Sequence, residues 1–323
     1  MRVQSPEIRT LLGPITPAKL GFTDAHGHLI MDRDLIVAKN PDFKLDSIEK
    51  VSQEVGLFMQ AGGGAMVEMS CIGAGRNPRA MVEIARRTGL HVIASTGLQR
   101  EEFYLDSHWR AYYTPEQMAQ IFSEEIELGL DNNNYTGPFI DRIEAKAGVI
   151  KVATNYQCIT KMEQRAIEAA ALAHKQTGAP ISTHTESGTM GLEQVELLVS
   201  FGVQPQHVIV GHMDRNPDFY VHRLIAETGA YLCYDTPARV KYFPETTFIH
   251  LVQKMIEAGY GKQLLWGGDV ARRSYFISYG GGPGLAYVPQ QFVKRMRLEG
   301  FDEQFIQDLF VNNPARALTF AVG

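Results

Sequence analysis

Short apolar runs and amphipathic stretches alternate along almost the whole chain. Eight runs of strand length stand at residues 23–28, 65–71, 91–96, 148–154, 180–186, 207–214, 231–237 and 264–270. They are near-continuously apolar, as strands buried on both faces are. Helix signals fall between them. Asp46, with Glu49 three residues on, caps a helix that Ala61-Gly62-Gly63-Gly64 ends, and a second helix spans 78–88. Thr114-Pro115-Glu116-Gln117 opens another as a capping box with proline at its first position, and Thr160 with Glu163 opens the next. Phe248, Leu251, Val252, Met255 and Ile256 lie on one helical stripe.

Eight strands alternating with helices predict an α/β fold, a (β/α)8 TIM barrel. The expected organisation is one domain over residues 1–323, with a short leading arm up to about Gly21. A doubly wound open sheet is the rival, but no Gly-x-Gly-x-x-Gly follows the first strand. The connector 99–113 is long, aromatic and charged, and reads as a lid or a cover for the barrel mouth. Residues 131–146 are polar and turn-rich, and are expected away from the chemistry. The sequon Asn134-Tyr135-Thr136 is discounted, since residues 1–6 lack the apolar core of a signal peptide. Gly280-Gly281-Gly282-Pro283-Gly284 lacks the Lys-Ser/Thr of a phosphate loop and is expected to be a flexible loop able to fold over a substrate.

Polar residues inside these apolar runs carry the chemistry. In Asp24-Ala25-His26-Gly27-His28 the two histidines share one strand face, and so does Asp24. A lone His-x-His is equally a pair of hydrogen-bonded core histidines, but the pattern recurs. Lys151 stands in the fourth run, His184 in the fifth, His212 in the sixth, and Asp269 ends the eighth. A barrel points all its C-terminal strand ends at one face, so four imidazoles, one amine and one carboxylate are expected to converge there. The other histidines (His91, His108, His174, His207, His222, His250) are expected to be structural.

Lys151 is the informative member. Burial disfavours an ammonium and makes the neutral amine accessible. A neutral amine adds carbon dioxide to become N6-carboxylysine, whose two oxygens can bridge two ions. His26, His28 and Asp269 would then hold the more buried ion and His184 with His212 the more exposed one. An ion-bridging hydroxide would be the nucleophile, and Asp269 the acceptor of its proton.

Composition narrows the field. The chain has 323 residues, 45% of them hydrophobic, and a formal net charge of -5 with no basic run, which argues against a nucleic-acid or anionic-membrane surface. No apolar stretch is long enough to span a bilayer. Cys71, Cys158 and Cys233 are few and widely spaced, and read as reduced thiols of a cytoplasmic protein.

Taken together, His26-Gly27-His28, Lys151 in Val-Ile-Lys-Val-Ala-Thr, His184 in Ser-Thr-His-Thr, Val-Gly-His212, Gly-Gly-Asp269 and the closing Asn313-Pro314-Ala315-Arg316 resemble the phosphotriesterase-like branch of the amidohydrolase superfamily. The resemblance runs almost end to end. Many members carry Glu where this chain has Gly27, a position expected to face away from the ions. The resemblance implies a hydrolase with two divalent ions, commonly zinc, with manganese or cobalt as alternatives, and frequently a homodimer. Members include lactonases, some acting on phosphorylated sugar lactones, and enzymes that cleave phosphotriesters.

Substrate must be argued from the loops. Arg239 and Lys241 follow the seventh run, and Arg272, Arg273 and Tyr275 the eighth. Loops after the seventh and eighth strands are a recurrent phosphate site in barrels, so these five are expected to bind an anionic substrate. A lactonase opening a phosphorylated sugar lactone is the expected function. A phosphotriesterase or carboxylesterase on neutral esters is the alternative. A single-metal deaminase would have no use for Lys151, and a non-enzymatic barrel would not keep all six groups.

Overall fold

In the computed structural model, which describes residues 5–322, the eight apolar runs form eight parallel strands. The first four residues of the leading arm, and Gly323, lie outside the described residues. The rest of the arm begins as an antiparallel hairpin of β1 (Ile8–Thr10) and β2 (Gly13–Ile15). The barrel strands are β3 (Phe22–Gly27), β4 (Gly63–Glu68), β5 (His91–Gly97), β6 (Val149–Thr154), β7 (Ile181–Thr185), β8 (Val208–Gly211), β9 (Tyr231–Tyr234) and β10 (Leu264–Trp266). Each pairs in parallel with the next in sequence order. The ring closes where the Asp269 N–H donates to the His26 carbonyl (2.7 Å) and the Gly268 N–H to the Asp24 carboxylate (3.0 Å). Helices separate successive strands, and the fold is a (β/α)8 barrel. None of those helices is long and apolar enough to cross a membrane.

Strand alternation splits the buried side chains into two layers. Ala65, Val67, Ile93, Val149, Ile209, Cys233 and Leu265 fill the barrel, with Ile8 and Leu318 packed among them. A larger layer lies between the strands and the helices. Each fully buried Val, Leu or Ile contributes about 1.5–3 kcal/mol, so burial outweighs any local preference in these elements. Local signals set the boundaries. The capping boxes at Thr114 and Thr160 form as expected, and the second helix runs Pro78–Thr88. The helix expected from Asp46 is instead Ile48–Gln60, capped by Ser47, whose hydroxyl accepts the Lys50 N–H. Asp46 pairs with Lys44 and Arg273.

Two expected loops behave differently. Residues 131–146 do not stand clear of the rim. Asn134 donates to Asp34, which follows the first strand, and accepts from Arg76 Nε (2.7 Å). Tyr135 and Thr136 line a cavity with Phe103, which also lines the candidate site described below. The reason is a buried ion pair: Arg76 and Glu125 are both fully buried and joined at 2.9 Å, and Arg76 also donates to the Ser95 carbonyl. Arg76→Met should destabilise the fold by about 3–5 kcal/mol in urea denaturation, because it leaves the Glu125 charge buried and unpaired. A loss below about 1 kcal/mol would show that Glu125 is neutral or rehydrated.

The glycine cluster is likewise pinned. Gly281, Gly282 and Gly284 donate to the carbonyls of Phe276, Ser274 and Tyr275, and buried Glu54 accepts from the N–H groups of Ser278 and Leu285. A Cβ at Gly281 would lie 2.1 Å from the Ser274 carbonyl oxygen, so glycine serves close backbone approach there rather than hinge motion.

Candidate active site

Register brings the polar residues together. Lys151 stands between Gly97 and Ser182 on the neighbouring strands, and His184 between Ala153 and Gly211. Gly97 has φ +96°, and a Cβ there would fall 2.0 Å from the Lys151 carbonyl oxygen. Only glycine lets β5 lie this close beside the lysine. His28 and His212 come one residue past β3 and β8, and Asp269 three past β10. His212 and Asp269 both have left-handed backbone (φ +60° and +41°), a conformation that costs non-glycine residues energy and collects at functional sites. A Cβ added at Gly27 would meet the Met66 side chain, which packs in the outer layer, so that position faces away from the cluster.

The six groups gather around a cavity of about 230 Å³ at the C-terminal mouth, lined by His26, His28, His184, His212 and Asp269, with Lys151 buried beside it. The His26 and His212 rings are 4.5 Å apart by centroid, as are those of His184 and His212. Asp269 Oδ1 lies 3.4 Å from His28 Nε2 and 3.7 Å from His26 Nε2. Three sets have donor atoms within 4.8 Å of one another: His26, His28 and Asp269; His212, Asp235 and Asp269; and His26, Cys233 and Asp235. Lys151 Nζ is fully buried and has no hydrogen-bond partner among the described residues. Burial pushes its pKa down, against the opposing pull of Cys71, Asp235 and Asp269.

His28, His184 and His212 each have one nitrogen hydrogen-bonded, and His26 has one against a carboxylate. Asp235 Oδ1 accepts from His212 Nδ1 (2.7 Å), and its Oδ2 lies 3.1 Å from His26 Nδ1, an ion-pair distance without hydrogen-bond geometry. Glu186 lies 3.2 Å from His184 Nε2 and is itself held by Arg100 (2.9 Å). His28 Nδ1 meets the Ser70 hydroxyl at 2.9 Å and Glu68 at 3.6 Å. Such partners fix which nitrogen faces the cavity, as they do around bound metals. Gln194 donates to Thr154 Oγ1 and to the His184 carbonyl, tying the ends of β6 and β7 together. Burial pushes His184 down to about 3 despite Glu186, and His212 well below its ordinary value, so both rings are neutral donors near pH 7. Burial opposes charge on His28 too, but Asp269 and Glu68 hold it up to about 9. Imidazoles, a carboxylate and an unpartnered buried amine form a donor set that suits divalent ions, whose binding at His28 would displace its proton.

Sequence reasoning missed four polar groups at this mouth: Asp235, Glu186, Glu68 and Arg215. The Asp235 signal was available, since it ends the seventh run at the level where other runs carry their polar residue. Arg215 and Arg239 both donate to Asp269 Oδ2, at 2.8 and 2.7 Å. Burial alone would raise Asp269, but Arg239 and the neighbouring imidazoles hold its carboxyl well below the usual range.

The five expected substrate residues divide. Lys241, Arg272 and Tyr275 line the same cavity as the imidazoles, with Lys241 Nζ 3.2 Å from the Tyr275 hydroxyl and Arg272 stacked 4.3 Å over Phe43. Arg239 also lines it, but is spent on Asp269 and the Asp235 carbonyl rather than free for an anion. Arg273 does not reach the cavity; it bonds to the Lys44 carbonyl and Asp46 and lies over Tyr279. None of the other six histidines lines the cavity. Buried His222, for example, bonds to Tyr234 and the Asn216 carbonyl.

Comparison with known proteins agrees with this geometry. A phospho-furanose lactonase of Mycoplasmopsis synoviae is 37% identical over 322 residues, 97% of this chain and 91% of that one. The crystal structure of a lactonase from Listeria monocytogenes superposes with a TM-score of 0.90 at 34% identity, covering 98% of this chain and 99% of that one. That of the phosphotriesterase homology protein from Escherichia coli, which carries phosphate in its active site, gives 0.86 at 33% identity over 93% and 99%. The Phosphotriesterase family pattern matches residues 6–318, and the chain belongs to that family.

Proposed function

We propose that this protein is a metal-dependent lactonase that opens a phosphorylated sugar lactone. One observation carries the reading: a single cavity is lined both by the imidazoles with Asp269 and by Lys241, Arg272 and Tyr275. The relatives named as lactonases support it, one of them by its name acting on phospho-furanose lactones. A neutral ester would gain nothing from the basic side chains.

In this reading His26, His28 and Asp269 would hold one divalent ion, zinc being the expected metal, and His184 with His212 would hold the other. Lys151, as N6-carboxylysine, would supply a ligand oxygen to each. Bound ions of this kind polarise a carbonyl and make hydroxide available near neutral pH. The chain's own residues do the rest. Lys241, Arg272 and Tyr275 seat the phosphate so that the lactone carbonyl faces the imidazole wall. Asp269 takes the proton of the attacking water, and the two guanidiniums on Oδ2 keep it ionised until then. The open lactone leaves as a hydroxy acid whose ring oxygen has regained that proton. We read the chain as one catalytic domain working as a homodimer, the assembly that the family resemblance implies.

The test uses a matched pair of lactones, with and without phosphate. Hydrogen bonds to charged groups contribute about 1.5–3 kcal/mol, so Lys241→Ala and Arg272→Ala should each lose roughly ten- to a hundredfold in kcat/KM on the phosphorylated lactone. On the unphosphorylated partner the loss should be nearly absent. Equal losses on both would show that these residues only support the loop, and neutral esters would become the better substrate class.

A further inference from the structure

Three carboxylates stand behind the imidazoles, and one of them differs in kind. Of the four imidazoles, Glu186 meets His184 and Glu68 meets His28, one ring each. Asp235 reaches two rings, His212 through Oδ1 at 2.7 Å and His26 through Oδ2 at 3.1 Å. Its position is overdetermined. The side chain is fully buried, the His212 N–H donates to Oδ2 (3.1 Å), and the Asp235 N–H donates to buried Asp214 (3.1 Å). Asp214 also accepts from the backbone N–H and the hydroxyl of Thr236, so it forms a pedestal under this turn.

In the two-ion reading proposed above, on which this inference rests, His26 and His212 serve different ions. We propose that Asp235 is a positioning residue that couples the two ion sites. With one oxygen bonded to His212 Nδ1 and the other 3.1 Å from His26 Nδ1, it faces Nδ1 of both rings, leaves Nε2 of each for its own ion and sets the two rings relative to each other. A carboxylate suits this because both its oxygens accept. An asparagine offers one acceptor and one donor, so it can hold one ring but turns an N–H toward the N–H of the other. Loss of the carboxylate therefore disturbs both sites together, whereas loss of the Glu186 charge disturbs one.

The experiment strips the purified protein with a chelator and titrates it with Co2+ in bicarbonate, against a competing indicator, while recording the visible cobalt spectrum. Wild type is expected to take up two ions. Disrupting a partner behind a metal ligand typically weakens metal binding 10- to 100-fold. Asp235→Asn should show that loss for both ions and an altered spectrum at each step. Glu186→Gln should weaken one ion and leave the other within about twofold of wild type. Wild-type affinity for both ions in Asp235→Asn, or weakening of only one, overturns the coupling while leaving the two-ion reading intact. A wild type that takes up a single ion overturns both. If the metal-free Asp235→Asn chain is unfolded by circular dichroism, the same titration on Asp235→Glu decides. That variant keeps the charge but displaces the oxygens by about one bond length, so both ions should again weaken, and wild-type affinity for both would overturn the coupling.

Discussion

Lys151→Ala should yield a folded barrel that has lost most of its metal and on the order of 10⁴-fold or more of its activity, because proton transfer, contributing about 10²–10⁴, and electrostatic stabilisation, contributing about 10²–10³, fail together. Lys151 is fully buried, and its amine has no partner among the described residues. An ammonium there would be desolvated without compensation, and burial moves the group toward its neutral form. The neutral nitrogen attacks the carbon of carbon dioxide and releases one proton. The product is a carbamate that brings one negative charge and two oxygens to a wall otherwise made of imidazoles and Asp269. Alanine removes all of this. Metal analysis should fall from about two ions per chain to one or none, and a short carboxylic acid with bicarbonate should restore part of both metal and rate. Two tightly held ions in the variant, or a bare lysine beside two ions in a wild-type map, would sink the bridging role.

Asp269→Asn is the second large effect. Oδ1 faces His28 and His26, and Oδ2 accepts from Arg215 and Arg239. Removing the charge should cut kcat by roughly a hundredfold or more, since general-base assistance contributes about 10²–10⁴. The same change leaves two mostly buried guanidiniums facing an amide, and breaking a buried pair costs about 3–5 kcal/mol. Chemical denaturation of the metal-free proteins should show that loss near pH 7. The sign of its pH dependence follows from the lowered folded-state value of Asp269. The stabilisation is fully present above the unfolded value of about 3.9 and is lost as pH falls through the folded one, so wild type and variant should converge on acidification. A variant that is less stable but retains kcat within tenfold would make Asp269 an anchor for the arginines and not the proton acceptor.

Much of the fold was legible because parallel strands buried on both faces cannot hide in a sequence. They must read as apolar runs, and the caps at Thr114 and Thr160 mark helix starts through contacts within four residues. The candidate site was legible for a related reason. A histidine, lysine or aspartate inside an apolar strand is costly unless something uses it, and a barrel directs every strand end to one face. Arg239 and Arg273 were misjudged because side chains this long reach partners that position along the chain does not reveal. Asp235 drew no reading from the sequence, because its role rests on contacts to His212 and His26 that come from other strands.

What this sequence determined by itself is therefore the alternation of strands and helices, the strand-end positions of the four histidines, Lys151 and Asp269, and their convergence at one mouth. These depend on burial period and on short-range capping, which neighbouring residues carry. Only the tertiary structure decided which carboxylate backs which imidazole, that two arginines occupy Asp269, that Arg273 turns outward, and that residues 131–146 and the glycine loop are tied to the barrel. Those contacts join residues far apart in the chain, 231 positions for Glu54 and Leu285, and hydrogen bonds and ion pairs between such distant groups leave no periodic trace in the chain.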